Sequence, residues 1–268
     1  MTSSSAFWIA AVRARETGRG DALFTDPFAQ HLAGAHGHAI MAASERAGGG
    51  ENAFIPVRVR WFDDLTMTSA AAGIRQIVLL GAGLDTRPHR LDLPADVDWY
   101  EVDRREIFQH KEPLLAGHAP RCRRHTAIAD LGGDWAPPLR QAGLDPTART
   151  LWLAEGLFFY LTEPMIVAML HTAAALCGPA SIVAADITGT TGLDSPAMQG
   201  YRDWCDRNGV PPPFGTDEPA ALLHAGGWRA DHISTPGAPD ANYGRLPAQP
   251  GGPQPGRTHL VTAVVARR

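Results

Sequence analysis

Gln76-Ile77-Val78-Leu79-Leu80-Gly81-Ala82-Gly83-Leu84-Asp85-Thr86-Arg87 decides the reading of this chain. A short apolar run closed by turn residues reads as a strand buried on both faces, the kind found in parallel sheets. Gly81 and Gly83 let the backbone bend sharply and approach a ligand closely. Asp85 sits inside the turn. A second strand ends in acid at Tyr100-Glu101-Val102-Asp103. A nucleotide-type ligand is therefore expected across these two strand ends.

Outward from that turn, strand candidates lie at 76–80, 99–102, 126–129, 150–154, 180–185, 228–234 and 258–266. The first five are separated by helical or loop segments, which predicts βαβ units and a parallel sheet. The last two lack a clear intervening helix and are read as an antiparallel hairpin. Two later helices are well punctuated: Thr162 as cap with Gly178 as stop, and Thr216 as cap with Gly226 as stop. Asp26-Pro27-Phe28-Ala29 opens another in the same way. Residues 1–70 look helical and are expected to cover the ligand site as a lid, leaving 71–268 as the core. Two stretches read as insertions into it, 189–215 with Tyr201 and Trp204, and the Pro- and Gly-rich loop 235–256.

A length of 268 residues fits one large α/β domain or a core with additions. With 44% hydrophobic residues and a net charge of −4, nothing favours bulk attraction to nucleic acid or to an anionic membrane. Cys122, Cys177 and Cys205 lack zinc-ligand spacing and read as reduced thiols. At the N-terminus the basic residues Arg13 and Arg15 follow the apolar stretch, the reverse of a secretory signal. The expectation is a soluble cytoplasmic protein. His31, His36 and His38 invite a metal reading, but no carboxylate or cysteine set joins them, and no metal is expected.

The choice of nucleotide turns on Asp85. The dinucleotide fingerprint Gly-x-Gly-x-x-Gly has Thr86 at its third position here. Asp85 would face a pyrophosphate, and two like charges about 4 Å apart repel by roughly 4 kcal/mol at an effective dielectric of about 20. A carboxylate suits a cationic ligand better. S-adenosylmethionine, with a sulfonium, an ammonium, a ribose and no phosphate, fits. Glu101 or Asp103 can accept both ribose hydroxyl hydrogens, because an ionised carboxylate offers two acceptor oxygens. The structural alternatives are a helix cap for Asp85 and surface ion pairs with Arg104 or Arg105 for Glu101 and Asp103.

These two segments, with Trp152-Leu153-Ala154-Glu155-Gly156-Leu157-Phe158-Phe159-Tyr160-Leu161-Thr162, resemble the leucine carboxyl methyltransferase family. Its bacterial branch includes O-methyltransferases of polyketide tailoring. The resemblance extends upstream to Asp21–Ala29 and Arg58–Asp64 and covers about 13–175. It implies a Rossmann-like class I methyltransferase fold: a mostly parallel seven-stranded sheet, helices on both faces and an N-terminal helical cover. It also implies cofactor roles. Arg15 corresponds to a basic residue before the Asp-Pro motif. Arg60, or alternatively Arg58, corresponds to the arginine on the methionine carboxylate. Gly81 and Gly83 correspond to the glycine turn, Asp103 to the ribose acid, Asp130 and Leu131 to the adenine contacts, and Glu155 to the acid beside the methionine ammonium.

The expected reaction is in-line methyl transfer from the sulfonium to an oxygen of a small acceptor. A carboxylate acceptor needs no base; a hydroxyl needs one, with His171 or His36 as candidates. The substrate pocket is expected in the two insertions. Arg19 and Arg202 are candidates to orient a carboxylate, and Tyr160, Tyr201 and Trp204 to wall an aromatic acceptor. Rival readings are a non-methylating S-adenosylmethionine binder and a nicotinamide-dependent oxidoreductase. Oligomeric state is not legible.

Overall fold

The computed structural model of the protein describes residues 2–194, 196–209, 211–254 and 256–266. Three helices come first: α1 Thr2–Thr17, α2 Ala29–Gly48 and α3 Phe54–Ala71. The core follows as β1 Gln76–Leu80, α4 Arg87–Arg90, β2 Asp98–Asp103, α5 Arg105–Leu115, β3 Arg123–Ile128, α6 Ala136–Gln141 and β4 Thr150–Ala154. After a 3-10 turn at Phe158–Tyr160 come α7 Glu163–Ala175, β5 Ile182–Ile187, α8 Thr190–Leu193, α9 Pro196–Asn208, α10 Pro219–Ala225, β6 Trp228–Ser234 and β7 His259–Val265.

The seven strands form one sheet in the order β3-β2-β1-β4-β5-β7-β6. β1 to β5 are parallel, and β7 runs antiparallel to both β5 and β6. β1 and β4 are buried throughout, as central strands covered on both faces must be. Their alternate residues feed separate cores. Val78, Leu80 and Trp152 pack with Ile166 and Met169 of α7, whereas Ile77, Leu79 and Leu153 pack with Trp61 and Phe62 of α3.

β1 and β4 match their expected bounds, and the remaining strands differ at one or both ends only for β2, β3, β5 and β7. The helix caps depart further. Thr162 precedes α7 without a side-chain cap bond, and α7 ends at Ala175, before Gly178. The last of these helices begins at Pro219, and Thr216 Oγ1 instead accepts the Glu218 backbone N–H at 3.0 Å. Asp85 is not the cap of α4, which Thr86 precedes; it accepts the Arg87 backbone N–H at 2.8 Å.

The loop 235–256 is strapped to the N-terminal helices. Tyr243 donates its hydroxyl to Asp64 at 3.0 Å, and Arg245 donates to Glu16 at 2.7 Å. Glu16 is buried under this clasp. No helix among the described residues is long and apolar enough to cross a membrane.

Candidate active site

The C-terminal ends of β1, β2, β3 and β4 open into a cavity of about 330 Å³. Its floor is the turn after β1. Gly81 and Gly83 have φ of 68° and 50°, a region L residues rarely enter. The Gly81 and Ala82 N–H groups both donate to Val102 O, which folds the turn back onto β2. A Cβ at Gly81 would sit 3.0 Å from Leu157 Cδ1, and one at Gly83 would sit 3.3 Å from Ala6 Cβ. The turn is therefore closed tightly between the β4 loop and α1, whose Ser5, Ala6, Trp8, Ile9 and Arg13 line the cavity as its cover.

Asp103 ends β2 and faces the cavity. Its Oδ2 accepts the Gly83 N–H at 2.7 Å and its Oδ1 the Arg104 N–H at 2.7 Å. Burial still leaves its carboxyl above the ordinary range, those two N–H groups notwithstanding.

The opposite wall is an array of buried ion pairs. Arg87, 1% exposed along its side chain, reaches three carboxylates: Asp63 at 2.7 Å, Asp85 at 2.6 Å and Glu155 at 2.7 Å. Arg58 holds Glu155 and Asp186 at 3.1 Å each. Arg90 pairs with Asp63 at 2.6 Å, and Arg13 with Asp26 at 2.9 Å. Burial is the largest single influence and opposes the ionisation of Asp85 and Glu155, but the nearby cations together outweigh it, Arg87 and Arg13 foremost at Asp85 and Arg87 and Arg58 at Glu155, so both carboxyls lie low. Asp186, buried with only Arg58 and the Gly156 N–H to favour its charge, lies high. Linked through these contacts are five carboxyl groups and four guanidiniums, one acid more than there are arginines.

Of the sequence candidates, Arg58, Gly81, Gly83, Asp85, Asp103, Asp130, Leu131, Glu155 and Tyr160 line the cavity together. Others are corrected. Arg15 turns outward to Glu45 and Glu51, and Arg13, two residues earlier, takes the inner position with its Nη2 2.5 Å from Leu84 O. Arg60 lies outside, paired with Asp64 and stacked on Tyr243. Glu101 is fully buried beneath α5, held by Lys111 and Arg124 at 2.8 Å each. That salt bridge to the helix following β2, rather than strand alternation, fixes its direction.

The substrate candidates scatter as well. Arg19 pairs with Asp21 at the surface, and Arg202 is turned to Leu193 O and Gln199. Tyr201 packs on Phe159 with ring centroids 5.5 Å apart, outside the cavity lining. The Trp204 side chain lies outside the described residues. No described residue of 189–215 or 235–256 lines this cavity. His36 packs edge-on against Phe7, and His171 lies beside Gly227, so neither nominal base reaches the cavity. Among the described residues no His, Cys, Asp and Glu side chains group to hold a metal.

Sequence reading missed Arg87 as a site residue and Asp186 altogether. Arg87 was in view, at the end of the deciding segment, but its reach to three separated elements has no local signal.

The sequence profile of the family described as leucine carboxyl methyltransferase matches residues 6–174. The chain belongs to the leucine carboxyl methyltransferase family. A relative from Parafrankia sp. is 41% identical over 192 residues, 68% of this chain and 61% of that protein. Another, from Mycobacteroides abscessus, is 42% identical over 171 residues, 59% of this chain and 56% of that protein. Both carry the provisional name S-adenosyl-L-methionine-dependent methyltransferase, and this chain spans about three fifths of their length. A crystal structure of a DUF574 family protein from Streptomyces avermitilis superposes with a TM-score of 0.64 over 96% of each chain at 17% identity, a likeness of fold. The names of these relatives specify S-adenosylmethionine, the ligand expected from the sequence of this chain.

The cavity fits that molecule. S-adenosylmethionine carries an ammonium, a sulfonium and a carboxylate, and the cavity offers both Asp85 and Glu155 for the cations and Arg58 and Arg13 for the carboxylate. Trp8 of α1 lines the cavity beside Arg13 and Arg58.

Proposed function

We propose that the protein is an S-adenosylmethionine-dependent methyltransferase acting on an oxygen of a small-molecule acceptor. The observation that carries this reading is the anionic wall, where Asp85 and Glu155 line one cavity from the ends of two neighbouring strands. A pyrophosphate would meet two paired carboxylates there, whereas a sulfonium and an ammonium are attracted.

The cofactor, when bound, supplies an electrophilic methyl group on sulfur. Asp103 would hold the ribose diol, Asp130 and Leu131 the adenine, Glu155 and Asp85 the cationic end, and Arg58 and Arg13 its carboxylate. The cover formed by α1 excludes water and aligns the two reactants, which is where most of the rate enhancement would arise.

The side chains around the cavity are carboxylates paired to arginine, apolar groups and Tyr160, whose hydroxyl burial holds above its ordinary range. That composition supports an acceptor oxygen already ionised at neutral pH, a carboxylate such as a polyketide-type natural product carries. A hydroxyl acceptor is the alternative. The free cysteines, two of them buried, fit a reducing, cytoplasmic setting.

Thermal unfolding with S-adenosylmethionine, S-adenosylhomocysteine and NAD in parallel tests the reading. A ligand at about 100 times its Kd stabilises by roughly 2.7 kcal/mol. Shifts with both adenosyl ligands and none with NAD are expected. A shift with NAD alone sinks the proposal. Incubation with methyl-labelled cofactor and a panel of carboxylate and hydroxyl acceptors then decides the acceptor class; tight binding with no methylated product across the panel marks a non-methylating binder.

A further inference from the structure

The guanidinium of Arg87 occupies an unusual place: it joins carboxylates from three separate elements of the anionic wall at once. It joins Asp63 on α3, Asp85 in the turn after β1 and Glu155 after β4, and its Nη2 also donates to Val59 O at 3.3 Å. The two carboxylates of this wall that line the cavity, Asp85 and Glu155, are each about nine-tenths buried. A buried carboxylate without a cation takes up a proton and becomes neutral. A neutral wall would lose its attraction for a sulfonium and an ammonium.

The geometry points to Arg87 as a positioning residue that keeps Asp85 and Glu155 charged and correctly aimed before the cofactor arrives. This inference rests on the cofactor reading above. Arg87 acts through its neighbours: its Nη1 holds Asp85 Oδ2 and its backbone N–H holds Asp85 Oδ1, while its Nη2 holds Glu155 Oε2 and Arg58 holds Oε1, so a ligand meets only the lone pairs that these donors leave. Three carboxylates on different elements need a planar fork with several donors, which guanidinium has and ammonium lacks.

Other groups also bear on the two acids. Asp85 feels Arg13 from α1, Arg90 from α4 and Lys111 from α5. Glu155 faces Arg58 from α3 as well as Arg87, and it is opposed by Asp85. Asp186 of β5 competes for Arg58. Tyr160 lines the same cavity and stays neutral near pH 7. Among the described residues Arg87 is the one guanidinium in direct contact with both Asp85 and Glu155.

The test is the pH dependence of S-adenosylhomocysteine affinity between pH 7.0 and 5.5, by calorimetry, for the full chain and the variants Arg87→Met and Arg87→Lys. The parent protein should bind with affinity that changes less than about twofold across this range, since both acids stay ionised. Arg87→Met should bind at pH 7.0 and weaken roughly tenfold per pH unit below the raised carboxyl pKa. Arg87→Lys should fall between them, weaker throughout and with a shallower slope. A residue that only held the fold together would lower the melting temperature of both variants while leaving the slope flat. If Arg87→Met does not fold, Arg87→Lys carries the test, with a fall of about threefold or more expected. A flat profile in a folded variant overturns the proposal, and so does a steep profile in the parent protein. Failure of the cofactor reading itself looks different: the parent protein then binds no adenosyl ligand at any pH.

Discussion

Asp103 at the end of β2 accepts the backbone N–H of Gly83 at 2.7 Å, so the acid of one strand end clamps the glycine turn of its neighbour. Glu101, two residues earlier on the same strand, is instead sealed beneath α5 with Lys111. The pair separates site from scaffold on a single strand.

Asp103→Asn should therefore weaken S-adenosylhomocysteine binding at least tenfold with a modest loss of stability. Glu101→Gln should do the reverse. It leaves the buried Lys111 charge without its carboxylate, a change that costs about 3–5 kcal/mol, while binding at permissive temperature stays near parent. Calorimetric binding and denaturant unfolding on the same two variants check both halves. Equal binding losses would return Glu101 to the site.

On α1, Arg13 and Arg15 should part in the same manner. Arg13 is buried and ties the helix to Leu84 O beside the glycine turn. Arg13→Ala should lower both melting temperature and ligand affinity. Arg15 pairs with Glu45 near the surface, and such pairs are worth about 0–1 kcal/mol, so Arg15→Ala should leave both almost unchanged. A larger effect at Arg15 than at Arg13 would refute the assignment of the inner face.

Gly83→Ala tests the close approach of the cover. The substitution forces a β-carbon into left-handed backbone, at about 1–2 kcal/mol, and against Ala6 at 3.3 Å. Stability should fall by about that amount, and α1 should become more accessible to protease. Unchanged proteolysis of α1 would mean that its seating does not depend on this contact.

Acid pH should weaken the ion-pair array in a defined sense. Glu155 sits below its ordinary value of 4.5 in the folded protein: burial raises it, but Arg87 and Arg58 lower it more. The unfolded chain therefore takes up the proton first as pH falls, and the stability from Glu155 is present above 4.5 and lost below it. The gap in melting temperature between the parent protein and Glu155→Gln should stay level near neutrality and shrink as pH drops toward 4. A gap that widens on acidification would contradict the direction of the shift.

By itself the sequence determined the alternating strands, their rough bounds, the Gly-x-Gly turn with Asp85 in it and an acidic end to the second strand, because each depends on neighbours within a few residues, while Asp103 as the ribose acid and Glu155 entered only through the family resemblance. Apolar runs make central strands wherever both faces are covered, and glycines mark a turn that no side chain permits. Only the tertiary structure decided which of two candidates lines the cavity. Arg13 and Arg15, like Arg58 and Arg60, lie two positions apart on a helix, about 200° around its axis, so one member of each pair faces inward and packing chooses which. Glu101 was claimed by Lys111 on the next helix, and Arg87 became the centre of the site by reaching Asp63 and Glu155, 24 and 68 positions away along the chain. A long charged side chain takes its direction from partners that only folding brings near, and a pattern of adjacent residues carries no record of them.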